Sequence, residues 1–175
     1  LYVIKNLLVE TAIVTNILHC VLSTKLINNS LKGTQNKVKI TVNQSNLQKA
    51  LQHLSKATPT RSTIPILNSI LIVAKNKTLT LRATDLEITI ITEIPSTVDV
   101  DGAVALPHKT LTEITGALPD IELKISADDN NRVKIKAGQG DYDIPGVSAE
   151  EFPQLPEVDN KKEVILKEKT LGELI

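Results

Sequence analysis

A strand-then-helix phrase recurs three times in this chain, and that self-similarity constrains its fold more than any other feature. Lys39-Ile-Thr-Val42 leads into Ser45-Asn-Leu-Gln-Lys-Ala-Leu51. Val104-Ala-Leu106 leads into Lys109-Thr-Leu-Thr-Glu-Ile114, and Glu163-Val-Ile-Leu166 into Lys169-Thr-Leu-Gly-Glu-Leu174. The first two phrases align without gaps, matching Ile40 to Val104, Val42 to Leu106, Leu47 to Leu111 and Leu54 to Leu118. The third sets Leu171 against Leu47 at nearly twice that spacing. Such a pattern suggests a unit used twice per domain, with a second domain opening as the chain stops.

The periodicities after Val38 fill in each unit. Leu47, Ala50, Leu51 and Leu54 follow helical spacing, with Ser45 expected as the N-cap. The opposite face carries Gln48, Lys49, Gln52, His53 and Lys56, polar and basic without an acid. Pro59 and Pro65 bracket a loop, followed by the apolar run Ile66 to Ala74 and the alternation Leu79, Leu81, Ala83. The alternation then changes phase, so Thr84-Asp85 marks a tight turn or bulge. In the second unit Leu111, Ile114 and Leu118 form the helical stripe. Leu123 and Ile125 face Val133 and Ile135 across a hairpin, and Gly138-Gln-Gly140 turns into Tyr142-Asp-Ile144. Each unit reads strand, helix, three strands. The expected class is α+β, with both helices on one side of antiparallel sheets.

Composition narrows the function. The 175 residues allow one ordinary domain and a piece of another. Tyr2, Tyr142 and Phe152 are the aromatics, too few for stacking platforms that hold single-stranded nucleic acid. One cysteine excludes an internal disulfide, and Cys20 with His19, His53 and His108 makes no metal-ligand cluster, so no cofactor is expected. Zero net charge hides a segregation: residues 11 to 84 hold ten Lys/Arg and no Asp or Glu, whereas residues 85 to 175 hold nine basic and nineteen acidic residues. That suggests a basic face for an anion and an acidic exterior.

Residues 1–37 differ in texture. Leu7 to Leu22 is apolar but interrupted by Glu10, Asn16 and His19, too short and polar for a membrane span. Asn28 to Lys37 is linker-like. Residues 1–37 are expected to be a non-family extension, translated upstream sequence, with Val38 at the position of an initiator codon read as valine.

No catalytic constellation stands out. Asp85 and Glu87 would share one side of a strand and could serve a carboxylate-based hydrolase, but a solvated turn explains them better. Ser148 with His108 lacks a nucleophile elbow, and no Gly-rich loop opens a helix. Arg61, in the Pro-bracketed loop near Lys49 and Lys56, suits phosphate oxygens instead.

The phrases Lys39-Ile-Thr-Val…Leu-Gln-Lys-Ala-Leu51, Arg61-Ser-Thr-Ile-Pro-Ile-Leu67, Leu79-Thr-Leu-Arg-Ala-Thr-Asp-Leu-Glu87, Leu106-Pro-His-Lys109 and Glu151-Phe-Pro153 resemble the first domain of the bacterial DNA polymerase III beta subunit, the sliding clamp. The resemblance covers residues 38–158, and residues 159–175 look like the truncated start of its second domain. It implies a cytoplasmic, non-catalytic processivity factor of the replicative polymerase, whose chains form a head-to-tail ring dimer around double-stranded DNA without membrane contact. Carried over, Lys49, Lys56, Arg61 and Lys109 would contact DNA, and Tyr142 and Ile144 would meet the second clamp subunit. Replicative polymerase and clamp loader would dock on later domains. Two departures stand out: Gly116 where family members often place a basic residue, and Gln139 and Asp141 where some carry Arg. The rival readings are the hydrolase and a structural module without DNA binding.

Overall fold

The repeated phrase builds two copies of one unit, and the copies trade their first strands. The structure, a computed structural model, describes residues 2–6, 37–59 and 62–154. A first strand, β1 (Tyr2–Asn6), precedes the repeats. The first unit is β2 (Val38–Asn43), α1 (Gln44–Leu54), β3 (Ser69–Lys75), β4 (Thr78–Thr84) and β5 (Ile88–Pro95), trailed by short β6 (Thr97–Val100). The second is β7 (Gly102–Pro107), α2 (His108–Ala117), β8 (Glu122–Ala127), β9 (Arg132–Ala137) and β10 (Gly140–Pro145), trailed by β11 (Val147–Ser148). β2 pairs antiparallel with β8 of the other unit, Ile40 opposite Ile125, while β7 pairs with β3, Ile70 opposite Leu106. The sheets therefore run β10-β9-β8-β2-β6 and β1-β5-β4-β3-β7-β11. Because each sheet takes its central strands from both units, the two copies are one folding domain.

Local chemistry explains the elements. Val38, Ile40 and Val42 of β2 are buried and alternate with Lys39 and Thr41, the period of a strand with one wet face. Asn43, not the expected Ser45, caps α1. Its Oδ1 accepts from the Ser45 and Asn46 backbone N–H groups at 3.0 and 3.3 Å, and the Ser45 hydroxyl donates to the same oxygen. The strand's last residue is still extended, so its side chain reaches the first open N–H groups of the helix. The phase change at Thr84-Asp85 is a tight turn: Leu86 takes φ 79 and is largely exposed.

One main core fills the space between the sheets and the helix pair. Ile40, Ile125 and Ile135 come from one sheet, Ile70, Ile72, Leu79 and Leu81 from the other, and Leu47, Leu51, Leu54 and Leu111 from the helices. α1 lies over β5, β4 and β2, and α2 over β3 and β7. On the back of the six-stranded sheet a second cluster joins Leu71, Val73, Ala103 and Ala105 to Ala149 and Phe152.

Sequence pattern placed no strand before Val38. β1 nevertheless lies parallel to β5, Ile4 opposite Ile90, so the six-stranded sheet is mixed rather than wholly antiparallel. Pairing satisfies the backbone row that β5 would otherwise expose, and that bond is blind to side-chain pattern. The apolar run Leu7 to Leu22 and the third copy of the phrase lie outside the described residues. Among the described residues, no helix is long and apolar enough to cross a membrane.

Candidate nucleic-acid interface

Hydrogen bonds lock the two helices side by side. The Gln44 amide donates to the Thr115 carbonyl at 2.5 Å, and the Thr115 hydroxyl is 2.5 Å from Gln48 Oε1. His108 Nε2 stands 3.1 Å from the Leu51 carbonyl oxygen, an acceptor, so that nitrogen carries a proton. Thr115 is fully buried, and a buried polar seam with partners holds one geometry. The helices thus present a fixed common surface.

On that surface α1 shows lysine. Leu47, Ala50, Leu51 and Leu54 face the core, which leaves Lys49 and Gln52 exposed, and Lys56 continues the stripe into the 3₁₀ turn Ser55–Ala57. Lys49 and Lys56 are two helical turns apart and share one side. On α2, Lys109 is exposed and lies 4.0 Å from Glu113, one turn on, a loose surface pair worth little. A turn further comes Gly116, beside Gln48 Nε2 at 3.5 Å from where a Cβ would stand.

The pairing of these cations differs from that of others nearby. On or beside the five-stranded sheet, Lys37 pairs with Asp129 at 2.9 Å, Lys39 with Asp99 at 3.4 Å and Lys136 with Asp141 at 4.0 Å. Among the described residues, no carboxylate pairs with Lys49 or Lys56. Their charge is free to meet an external anion.

The remaining sequence expectations fall out unevenly. The structure brings Lys49, Lys56 and Lys109 to the helix pair, while Arg61 lies outside the described residues. Tyr142 sits half-buried on β10, the edge of the five-stranded sheet. Ile144 corrects the expectation of an apolar surface contact: it is 1% exposed and belongs to the main core. β10 turns Tyr142 and Ile144 inward and Asp141 and Asp143 outward, so its edge offers backbone and carboxylates. The uniformly acidic exterior is also corrected. Lys39, Lys124, Arg132, Lys134 and Lys136 are exposed on the five-stranded sheet, with Lys124 directly opposite Lys136. The alternation Arg132-Val-Lys-Ile-Lys136 was the signal for it.

The hydrolase reading loses its acids. Asp85 Oδ1 accepts from the Glu87 and Ile88 backbone N–H groups at 3.0 and 2.6 Å, so its carboxylate closes a turn. Ser148 Oγ accepts from the Glu150 N–H, and His108 is held at Leu51. Among the described residues no group of His, Cys, Asp and Glu could hold a metal.

Comparison with known proteins gives the family. Residues 38–156 match the family model described as DNA polymerase III beta subunit, N-terminal domain. The chain is 40% identical over 119 residues to the beta sliding clamp of Caulobacter vibrioides, covering 66% of this chain and 32% of that one. It is 34% identical over 139 residues to the beta sliding clamp of Synechococcus elongatus, covering 78% of this chain and 37% of that one. Among solved structures, the Caulobacter crescentus beta sliding clamp superposes with TM-score 0.67 at 37% identity over 71% of this chain and 33% of that one. The DNA polymerase beta subunit of Streptococcus pyogenes gives 0.72 at 28% identity over 76% and 36%. The chain spans about a third of the length of these relatives. The family match takes in both repeated units and the helix pair between them, and the chain belongs to the DNA polymerase III beta subunit family, in its N-terminal domain.

Proposed function

We propose that this chain is the N-terminal part of a DNA sliding clamp, a non-catalytic processivity factor that holds duplex DNA by non-specific phosphate contacts. The observation that carries the reading is the acid-free helix α1, whose exposed Lys49 and Lys56 lack carboxylate partners among the described residues, whereas Lys37, Lys39 and Lys136 at the five-stranded sheet have them. A clamp must slide, so its contacts must exchange easily along the backbone. Exposed ammonium groups on a rigid helix pair do that, because they attract any phosphate and read no base edge. Lys109 and Arg61 complete the set, Arg61 from the loop after α1. Residues 38–158 form the clamp domain, residues 159–175 begin the next, and residues 1–37 are an extension outside the family. The β10 edge with Tyr142 meets a second clamp subunit in the cytoplasm, and polymerase and loader bind domains beyond this chain.

Fluorescence anisotropy with labelled duplexes of unrelated sequence, titrated over salt, tests the reading. Binding should be weak, equal for all sequences and salt-sensitive. Four phosphate contacts limit the slope of log affinity against log salt to about −3.6, at about 0.9 per contact. Lys49→Ala with Arg61→Ala should weaken every duplex alike. A marked sequence preference, binding that survives high salt, or loss only on changing Asp85 and Glu87 would overturn it.

A further inference from the structure

One face of the five-stranded sheet turns Ile40, Ile125 and Ile135 into the main core, and the other shows Lys39, Lys124, Arg132, Lys134 and Lys136 to solvent. Register gathers these cations. Lys134 on β9 stands level with Ser126 on β8 and Lys39 on β2, and Lys136 stands level with Lys124 and Thr41. Lys39 and Lys136 reach Asp99 and Asp141 at 3.4 and 4.0 Å, and both acids sit on the outer strands, β6 and β10. Among the described residues no carboxylate pairs with Lys124, Arg132 or Lys134, although Asp143 stands opposite Lys134. The fold does not ask for this arrangement. Lysine is a poor strand former, and like charges directly opposite, as at Lys124 and Lys136, destabilise a ladder. Lysine on an edge strand guards against unwanted pairing, but β8 and β9 both lie inside the sheet.

We propose that this face binds a partner protein through an extended acidic segment with carboxylates at every second position. Alternate residues of a strand lie about 6.6–6.8 Å apart, so Arg132, Lys134 and Lys136 form a row at the spacing of alternate side chains in an extended peptide. A peptide lying along β9 sets three carboxylates on that row, and Lys124 and Lys39 flank it from β8 and β2. Nucleic acid fits less well. The basic stripe from β2 to β9 spans two strand spacings, about 10 Å, narrower than the major groove of a duplex at about 12 Å. Asp99 borders it on one side and Asp141 and Asp143 on the other, where they would repel phosphates. Tyr142 on the neighbouring strand packs against the core, which leaves the stripe without a ring on which a base could stack. The main core lies between this face and Lys49 and Lys56 of α1, so the surface is independent of the DNA reading.

Fluorescence anisotropy on the full chain tests it, with a labelled peptide of four Asp-Ser repeats and its block isomer, four Asp followed by four Ser. The alternating peptide should bind more tightly than the block isomer, and high salt should abolish the binding. Lys124→Ala with Lys134→Ala should weaken it about tenfold, as the loss of two exposed ion pairs does. Lys49→Ala with Lys56→Ala should leave peptide binding unchanged. All four lysines are exposed, so neither variant disturbs the core. No binding, equal affinity for the two isomers, or loss only in the Lys49 and Lys56 variant would overturn the proposal. So would tighter binding of a single-stranded oligonucleotide of equal charge, which would make the face a nucleic-acid surface. Self-association in sedimentation that Lys124→Ala with Lys134→Ala removes would give the face to a second copy of the chain instead.

Discussion

At Gly116 a helix gives up both propensity and charge. The nearest atom to a Cβ built there is Gln48 Nε2 at 3.5 Å, ordinary contact, and the residue is exposed. Gly116→Ala should therefore stabilise the domain by about 0.5 kcal/mol, the lower end of the helix-interior range because the site lies in the last turn of α2, as thermal denaturation would read. Gly116→Lys would extend the stripe begun by Lys109, where Glu113 now offsets part of the charge. If the helix pair lies against phosphates, that substitution should steepen the salt slope of duplex binding by about 0.9. An unchanged slope would place α2 away from the DNA. Arg82 shows the reverse case: a buried charge with Leu71 and Ile91 on either side and one hydrogen bond, to the Pro153 carbonyl.

Elements were legible wherever a period was uninterrupted. Val38, Ile40 and Val42, or Leu47, Leu51 and Leu54, announce a strand and a helix because one face of each must enter a core. What pattern leaves unstated is pairing by backbone alone, which is why β1 escaped notice, and which of two inward residues at an edge stays accessible, which is why Ile144 was misjudged. The site was partly legible: lysines on a helix face read directly, but whether an acid neutralises them is a tertiary fact, decided by Asp99, Asp129 and Asp141 around the sheet. Strand register also makes a prediction. Lys124 on β8 stands opposite Lys136 on β9, a like-charge pair. Lys124→Glu replaces repulsion with attraction and should stabilise the domain by about 0.2–1 kcal/mol, an effect that high salt should erase.

For the whole molecule, the two sheet ends differ. Among the described residues, β10 ends the five-stranded sheet with no further strand beside it, while β5 is covered by β1. The doubled unit begins at Val38, so removing residues 1–37 leaves both of its copies whole. We therefore expect the deletion variant to fold, with Tm close to that of the full chain. What it loses is the cover on β5, whose backbone row becomes available to another chain. Analytical ultracentrifugation should find the full chain mainly monomeric and the deletion variant more strongly associated, increasingly so with concentration. Proline at both Ile4 and Lys5, opposite Ile90 and Ile91, should reproduce that association without the deletion, because successive N–H groups of a strand point to opposite sides and one of the two faces β5. A large fall in Tm on deletion would mean that the extension contributes to the core. Equal association of both proteins would mean that β10, not β5, governs self-pairing, and the covering role assigned to β1 would fail.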